Sequence, residues 1–272
     1  MMIINLERFL KEDIGSGDIS GAVVPDVPVR AQIKADESGV LAGLEEAKAV
    51  FEHFALDVES KFSDGAEIKK GDVILEVSGS SRSILAAERL ALNFLGRMSG
   101  IASLTRECVK RSKGITIAGT RKTTPGFRKY EKKAIAIGGG DPHRSSLADA
   151  VLIKDNHIKV AGLESAIRNA KKVHPTKEIE IEVDNAKDAI KAAQLGVDII
   201  MFDNMAPEDI RGAVEKLKKA GLRTRVRLEA SGGISTENIG EFARTGVDMI
   251  SLGVLTHSSP WVGFSLDVVS TR

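Results

Sequence analysis

A single cysteine, Cys108, removes two options at once: an intrachain disulfide framework and any multi-cysteine zinc site. It falls within a helical pattern and is expected to be buried and inert. Aromatic residues are scarce too. One tryptophan (Trp261), one tyrosine (Tyr130) and nine phenylalanines offer little surface for stacking bases, so nucleic-acid binding is not expected. No apolar run approaches the ~20 residues that span a bilayer, and the opening MMIINLERFLKED lacks a signal-peptide core. A cytoplasmic protein with no membrane partner is the expectation. Net charge is missing as well: 39 Lys and Arg against 38 Asp and Glu leave a formal charge of +1, with no long-range field to steer a polyanion.

What remains is an ordinary soluble composition, 42% hydrophobic and 28% charged over 272 residues. That length suffices for one large domain or two smaller ones. Residues 5–12 pattern as a short helix, and EDIGSGDIS after them as a loop. Residues 29–42 alternate like strand and turn, residues 45–56 carry a helical period, and 58–62 and 73–77 pattern as strands. A long helical pattern covers about 83–113, with Ala87, Leu90, Phe94, Met98, Ile101 and Thr105 on one face. Gly96 and Gly100 interrupt it, so two helices meeting at a bend fit as well as one rod. Arg89 lies beside that apolar face, where an arginine most often snorkels to the surface.

From residue 115 the rhythm becomes regular. Strand-length apolar runs occur at 115–118, 150–153, 179–183, 198–202, 225–228 and 248–252, with amphipathic helical patterns between them. Three of those patterns run up to a glycine (Gly196, Gly221, Gly246), the residue that best tolerates a left-handed cap. Such alternation implies parallel strands joined by helical crossovers. A complete eight-unit barrel takes about 250 residues, more than this segment supplies, so an incomplete barrel or a short open sheet is expected. A seventh strand is expected but has no clear position. The expected division is an N-terminal domain over 1–112, an incomplete barrel over 113–261, and residues from about 262 to 272 packing back on the first domain.

Between Gly119 and His157 the chain carries eight Lys and Arg against four acids, an excess of cations absent from the whole. They are spread out, at strand ends and around the Gly138–Gly140 triplet, which suggests a pocket for a small anion. Past the six strands come Thr120-Arg121-Lys122, then Lys154-Asp155-Asn156-His157, then Glu182 and Asp184, then Asp203-Asn204, then Glu229 to Gly233, and Gly253. The first two ends are cationic, the next two acidic, and the last two small and glycine-rich. Arg121, His143, Arg144 and Lys154 suit carboxylates on a substrate. Glu182 and Asp203 suit Mg²⁺ on a diphosphate, or simple capping of the following helices. Ser231, Gly232 and Gly233, ahead of a helix expected near Thr236, and Gly253 suit a phosphate held by backbone N–H groups. His157 and His257 are expected to be hydrogen-bonded scaffold.

The motifs GTRKTTPGFR, EKKAIAIGGG followed by HR, LIKDNH, EVD, FDN, EASGGI and GVDMISLGVLTHS resemble those of the quinolinate phosphoribosyltransferases over nearly the whole chain. EDIGSGDIS and ERLALNFLGRMSGIAS resemble the N-terminal signatures of the same family. The resemblance implies an α/β class: an N-terminal α/β sandwich domain followed by an incomplete, seven-stranded α/β barrel. It implies the substrates quinolinate and phosphoribosyl pyrophosphate, the cofactor Mg²⁺, and a homodimer with sites shared across the interface. Arg121, Lys122, His143, Arg144 and Lys154 would then bind substrate, with Arg89 reaching in from the partner subunit. Lys154, Glu182 and Asp203 would be catalytic, the two acids also holding the metal, through water or directly. Ser231, Gly232, Gly233 and Gly253 would cradle the 5′-phosphate. Pro142 departs from the pattern, standing before His143 where many relatives carry a polar residue. Two other readings fit the residues: a molybdenum-transport-associated paralogue acting on a different acceptor, and a non-catalytic phosphate-ligand sensor.

Overall fold

The computed structural model describes residues 6–271. Contacts divide the chain into two compact units, residues 1–104 with 259–272, and residues 105–258. The expected helix at 5–12 is α1 (Leu6–Ile14), residue 5 lying outside the described residues. The first unit then runs β1 (Pro28–Ala35), β2 (Gly39–Val40), α2 (Leu44–His53), β3 (Asp57–Glu59), β4 (Glu67–Ile68) and β5 (Val73–Ser80). Its main sheet is antiparallel, with β1 between β5 and a C-terminal strand over residues 264–271, and β3 on the far side of β5. One face of β1 is fully inward, Val29, Ala31, Ile33 and Ala35 all being buried, as alternation with period two requires.

The long helix α3 (Ser81–Arg111) is one continuous rod of 31 residues, and the boundary between the units falls inside it rather than after it. Its expected stripe from Ala87 to Thr105 is buried throughout, each large apolar member contributing about 1.5–3 kcal/mol. Gly96 and Gly100 do not interrupt it. A Cβ at Gly100 would stand 1.9 Å from the carbonyl oxygen of Pro260, and one at Gly96 would stand 2.9 Å from the Trp261 ring. The glycines open a channel in the helix surface through which residues 260–262 pass. Gly100→Ala is therefore expected to lower stability by about 1–3 kcal/mol, despite the better helix propensity of alanine; a thermal melt that rises instead would contradict this packing.

The second unit alternates strand and helix: β6 (Thr116–Gly119), α4 (Arg128–Ile137), β7 (Val151–Ile153), α5 (Asp155–Ala161), α6 (Leu163–Val173), β8 (Ile179–Val183), α7 (Ala186–Gln194), β9 (Ile199–Asp203), α8 (Pro207–Lys219), β10 (Arg227–Ser231), α9 (Ile239–Phe242), β11 (Met249–Leu252) and α10 (Val254–His257). The last strand of the chain, β12 (Phe264–Thr271), is the one paired with β1. The glycines after three of the helical patterns take the left-handed conformation expected of them, with φ of 75° at Gly196, 68° at Gly221 and 92° at Gly246.

All strand pairs in this unit are parallel, in the order β6–β11–β10–β9–β8–β7. The expected seventh strand is reduced to a single bridge. Asp141 donates its N–H to Ile117 and accepts from the N–H of Gly119, on the free edge of β6. The barrel is thus incomplete between β6 and β7, which follow each other in the chain. The loop after Asp141 hangs from that edge.

Candidate active site

The period-two alternation of parallel strands sorts side chains into an inward and an outward set. Glu182, Asp203 and Ser231 all stand at strand tips, and all line one cavity of about 540 Å³ in the second unit. Lining it with them are Arg121, Lys122, His143, Arg144 and Lys154. Eight of the predicted residues are therefore brought together. Gly232, Gly233 and Gly253 are not lining residues, and neither is Arg89, which is exposed on α3. The helix expected near Thr236 begins only at Ile239 and is four residues long. Any phosphate cradle there is made by the loop itself.

That loop is built around Gly232 (φ 89°). A Cβ there would sit 2.3 Å from Oδ1 of Asn204 and 2.9 Å from its backbone nitrogen. The Asn204 N–H in turn donates to the Ser231 carbonyl at 2.9 Å. The close approach ties the tip of β10 to the tip of β9, a role only glycine permits.

The loops that carry the cations are held by local hydrogen bonds. The 120–127 loop folds onto α4 because buried Glu131 accepts from both the backbone and the hydroxyl of Thr124, at 3.0 Å each. Arg128 donates to the Thr123 hydroxyl at 2.8 Å and to the Ser145 carbonyl at 2.9 Å. Asp149 accepts from the backbone of Ser145 and Ser146 and from the Ser146 hydroxyl. That hydroxyl, with the two backbone N–H groups, holds its carboxyl below the usual range. Lys154 contacts Glu182 directly, and its backbone N–H donates to Nδ1 of His157 at 2.9 Å. His157 is thus scaffold, as expected. Glu182 and Asp203 are not helix caps: α7 is capped by Asn185, and α8 starts at Pro207 behind Ala206.

Lys132 and two acids form the part of the site that sequence reasoning missed. Lys132 lies buried on α4 and donates to the Pro142 carbonyl. Burial, then the nearby Arg128, pulls its ammonium down to about 8. Pro142 has no N–H to lose, and its carbonyl is what fixes the turn. The next residue, His143, takes a left-handed φ of 56°, and its N–H donates to Oδ1 of Asp141 at 2.7 Å. Its Nε2 stands 3.4 Å from Glu229 on β10 and 3.8 Å from Glu180 on β8. The side chain of His143 is 14% exposed, those of Glu180 and Glu229 2% and 0%. Both Glu229 oxygens and one Glu180 oxygen lack a hydrogen-bond partner among the described residues. Glu229 had been grouped with the small, glycine-rich sector, and Glu180 with the apolar core of its strand. The pattern IEIEV held the signal: on an inward face, glutamates two apart belong to the same wall.

Burial opposes charge on His143, but contact with Glu229 and the charges of Glu229 and Glu180 outweigh it and raise the imidazole above its ordinary value. Burial first, and Glu229 second, raise the Glu180 carboxyl. A carboxyl whose folded pKa is raised contributes stability below its unfolded pKa and loses it as pH climbs through the folded one. Glu180→Gln removes that loss. Its Tm relative to wild type is expected to rise by several degrees between pH 4.5 and pH 8.5, a shift on the order of 1–3 kcal/mol; a flat difference across that range would contradict the buried charge.

Fold and site together define an incomplete α/β barrel whose strand tips and loops gather cationic and carboxylate side chains around one cavity. The comparisons narrow the class. The family model described as quinolinate phosphoribosyl transferase, C-terminal domain, matches residues 101–267, and the N-terminal domain model of the same family matches residues 18–99. The chain is 48% identical over 258 residues to a probable nicotinate-nucleotide pyrophosphorylase [carboxylating] of Archaeoglobus fulgidus, covering 93% of this chain and 98% of that one. It is 36% identical to the human nicotinate-nucleotide pyrophosphorylase [carboxylating], covering 96% and 89%. The solved nicotinate-nucleotide pyrophosphorylase of Francisella tularensis superposes with a TM-score of 0.91 at 38% identity, over 97% of this chain and 94% of that one. The chain belongs to the quinolinate phosphoribosyl transferase family.

Proposed function

We propose that this chain transfers the phosphoribosyl group of phosphoribosyl pyrophosphate to quinolinate with loss of CO₂, giving nicotinate mononucleotide and pyrophosphate in NAD biosynthesis. The observation that carries the reading is the gathering of Arg121, Lys122, Arg144 and Lys154 opposite Glu182 and Asp203 in one cavity. Quinolinate bears two carboxylates and its co-substrate a diphosphate, so both need cations at close range. Arg121, Arg144 and Lys154 take the quinolinate carboxylates with His143 beside them, and Lys122 faces the diphosphate. Departure of pyrophosphate leaves positive charge at the ribose C1, which Glu182 and Asp203 stabilise. The pyridine nitrogen then attacks C1, and its own new positive charge makes loss of the neighbouring carboxylate feasible. Holding two anions face to face is the positioning part of catalysis. Ser231, Gly232, Gly233 and Gly253 are assigned to the 5′-phosphate.

The donor set fits Mg²⁺. Two carboxylates on adjoining strands line the same cavity, and magnesium takes one or two carboxylates together with substrate oxygens. Glu182 and Asp203 would hold it, and it would neutralise diphosphate charge. The homodimer is proposed with it, Arg89 serving the partner's site. In support, Arg89 is absent from the lining of its own chain's cavity, and Ile19 and Val23 in the same unit are 87% and 83% exposed. A cytoplasmic setting is part of this reading: the one cysteine is buried, and burial, then Glu107, pushes its thiol up to about 11. No helix among the described residues is long and apolar enough to cross a membrane. The paralogue and sensor readings are not favoured by the relatives' names.

Release of CO₂ from labelled quinolinate, matched one for one by nicotinate mononucleotide, tests the reaction. Binding of phosphoribosyl pyrophosphate without CO₂ would leave the sensor instead. Arg144→Ala is expected to weaken quinolinate binding about 30-fold or more in a folded protein, with unchanged calorimetric affinity rejecting its role. For Arg89, mixing Arg89→Ala chains with Arg121→Ala chains should restore up to about a quarter of wild-type activity, since one site in each mixed dimer is intact. No recovery would count against a shared site.

A further inference from the structure

The proposed reaction contains a step that the residues assigned so far do not perform. When the carboxylate next to the ring nitrogen leaves as CO₂, its bonding pair stays on the ring carbon. That carbon must gain a proton before nicotinate mononucleotide is complete, and a positioned acid speeds such a transfer. The donor has to line the cavity and release a proton near neutral pH. Arg121 and Arg144 do not qualify, because a guanidinium does not give up its proton in proteins. An ordinary lysine ammonium holds its proton well above neutrality, and Lys154 is already in contact with Glu182. Glu182 and Asp203 are already assigned to the ribose C1 and the metal. His143 remains.

Its surroundings are those of a held acid. Nε2 is the ring nitrogen turned to both buried carboxylates, Glu229 at 3.4 Å and Glu180 at 3.8 Å, which leaves Nδ1 for a ligand in the cavity. A buried carboxylate behind one nitrogen, with the other nitrogen handling the proton, is the arrangement of acid–base histidine dyads. The backbone is fixed for the purpose. A left-handed histidine is strained by about 1–3 kcal/mol, and here Asp141 and Lys132 clamp the residue and the carbonyl before it.

We propose that His143 is the proton donor of the decarboxylation step and that Glu229 is its positioning residue. The bond from the ring carbon to the departing carboxylate breaks, CO₂ leaves, and the electron pair takes the proton from Nδ1 of the imidazolium. The neutral imidazole keeps its Nε2 proton against Glu229 and regains the lost one from solvent. Glu229 on β10 and Glu180 on β8 favour that recharging, and Lys132 on α4 opposes it. Burial opposes the charge, and the two carboxylates outweigh it, so the balance raises the affinity of the ring for its proton. The reaction should fail as pH rises through the imidazole pKa.

This inference rests on the reaction proposed above, and single turnovers separate the two. Wild-type enzyme that releases neither pyrophosphate nor CO₂ ends the reaction itself. Given a working wild type, His143→Asn is expected to keep pyrophosphate release within about tenfold while formation of nicotinate mononucleotide falls about 100-fold or more. The still-carboxylated mononucleotide should then be found by mass spectrometry after an acid quench. Pyrophosphate and nicotinate mononucleotide falling together would overturn the proposal, as would neither falling. Glu229→Gln gives a second readout should the histidine variant fail to fold. Its alkaline limb in the pH profile of kcat is expected to move to lower pH; a uniform loss with the limb unmoved would show Glu229 to be structural only and overturn its role.

Discussion

The parallel register of six strands is the constraint on which the site depends. Asp203 lies opposite Ser231 across β9 and β10, Met201 lies opposite Glu229, and Glu182 lies opposite Met201 across β8 and β9. Because side chains alternate, these pairings stack the inward residues in two tiers. Asp203 and Ser231 form the upper tier at the strand tips, and Glu182, Met201 and Glu229 lie level with one another one tier below. A slip of one residue in any strand would turn its contribution into the helical layer outside. The catalytic chemistry is therefore a consequence of hydrogen-bond register before it is a matter of side-chain identity.

Electrostatics explains why so polar a tier is tolerable. Arg121 and Arg144 crowd each other, and burial followed by that neighbour lowers the pKa of Arg144, although a guanidinium stays charged regardless. Such a wall is costly without anions, and the substrate would relieve it. The charges of Glu180 and Glu182 give part of that relief at Arg144. The buried carboxylates of Glu180 and Glu229 would be an unpaired burden in a barrel whose gap were closed by a regular seventh strand. The single bridge at Asp141 instead lets the chain turn sharply and deliver the imidazole inward, with Lys132 and Asp141 holding the turn.

Much of the architecture was legible. Five of the six apolar runs match a strand to within one residue at each end, and the run at 225–228 reaches only the first two residues of β10. The three glycines end their helical segments as left-handed residues, and the helical stripe from Ala87 to Thr105 is buried. These features follow from periodicity and local backbone chemistry, which a sequence carries openly. Gly96 and Gly100 were ambiguous because a close approach by residues 260–262 is written elsewhere in the chain. In the site, Arg121, Lys154, Glu182 and Asp203 announced themselves as polar groups at strand ends, and Arg144 as a cation just after the glycine triplet. Glu180 and Lys132 did not, because each sits inside a regular element, and Glu229 stood among glycines at a strand end. Only the fold shows that Glu180 and Glu229 converge on His143. The seventh strand had no position because one bridging residue leaves no periodic pattern.

One placement is central to the proposed reaction: two anions between the cationic loop wall and the carboxylate strand tips, with the pyridine ring against His143. A crystal structure with quinolinate and an unreactive analogue of phosphoribosyl pyrophosphate tests it most directly. The expected result has the quinolinate carboxylates on Arg121, Arg144 and Lys154, the C1 carbon facing Glu182 and Asp203, and Nδ1 of His143 toward the ring carbon that bears the departing carboxylate. Quinolinate bound with that carbon turned away from His143, or lodged outside the cavity, would contradict it.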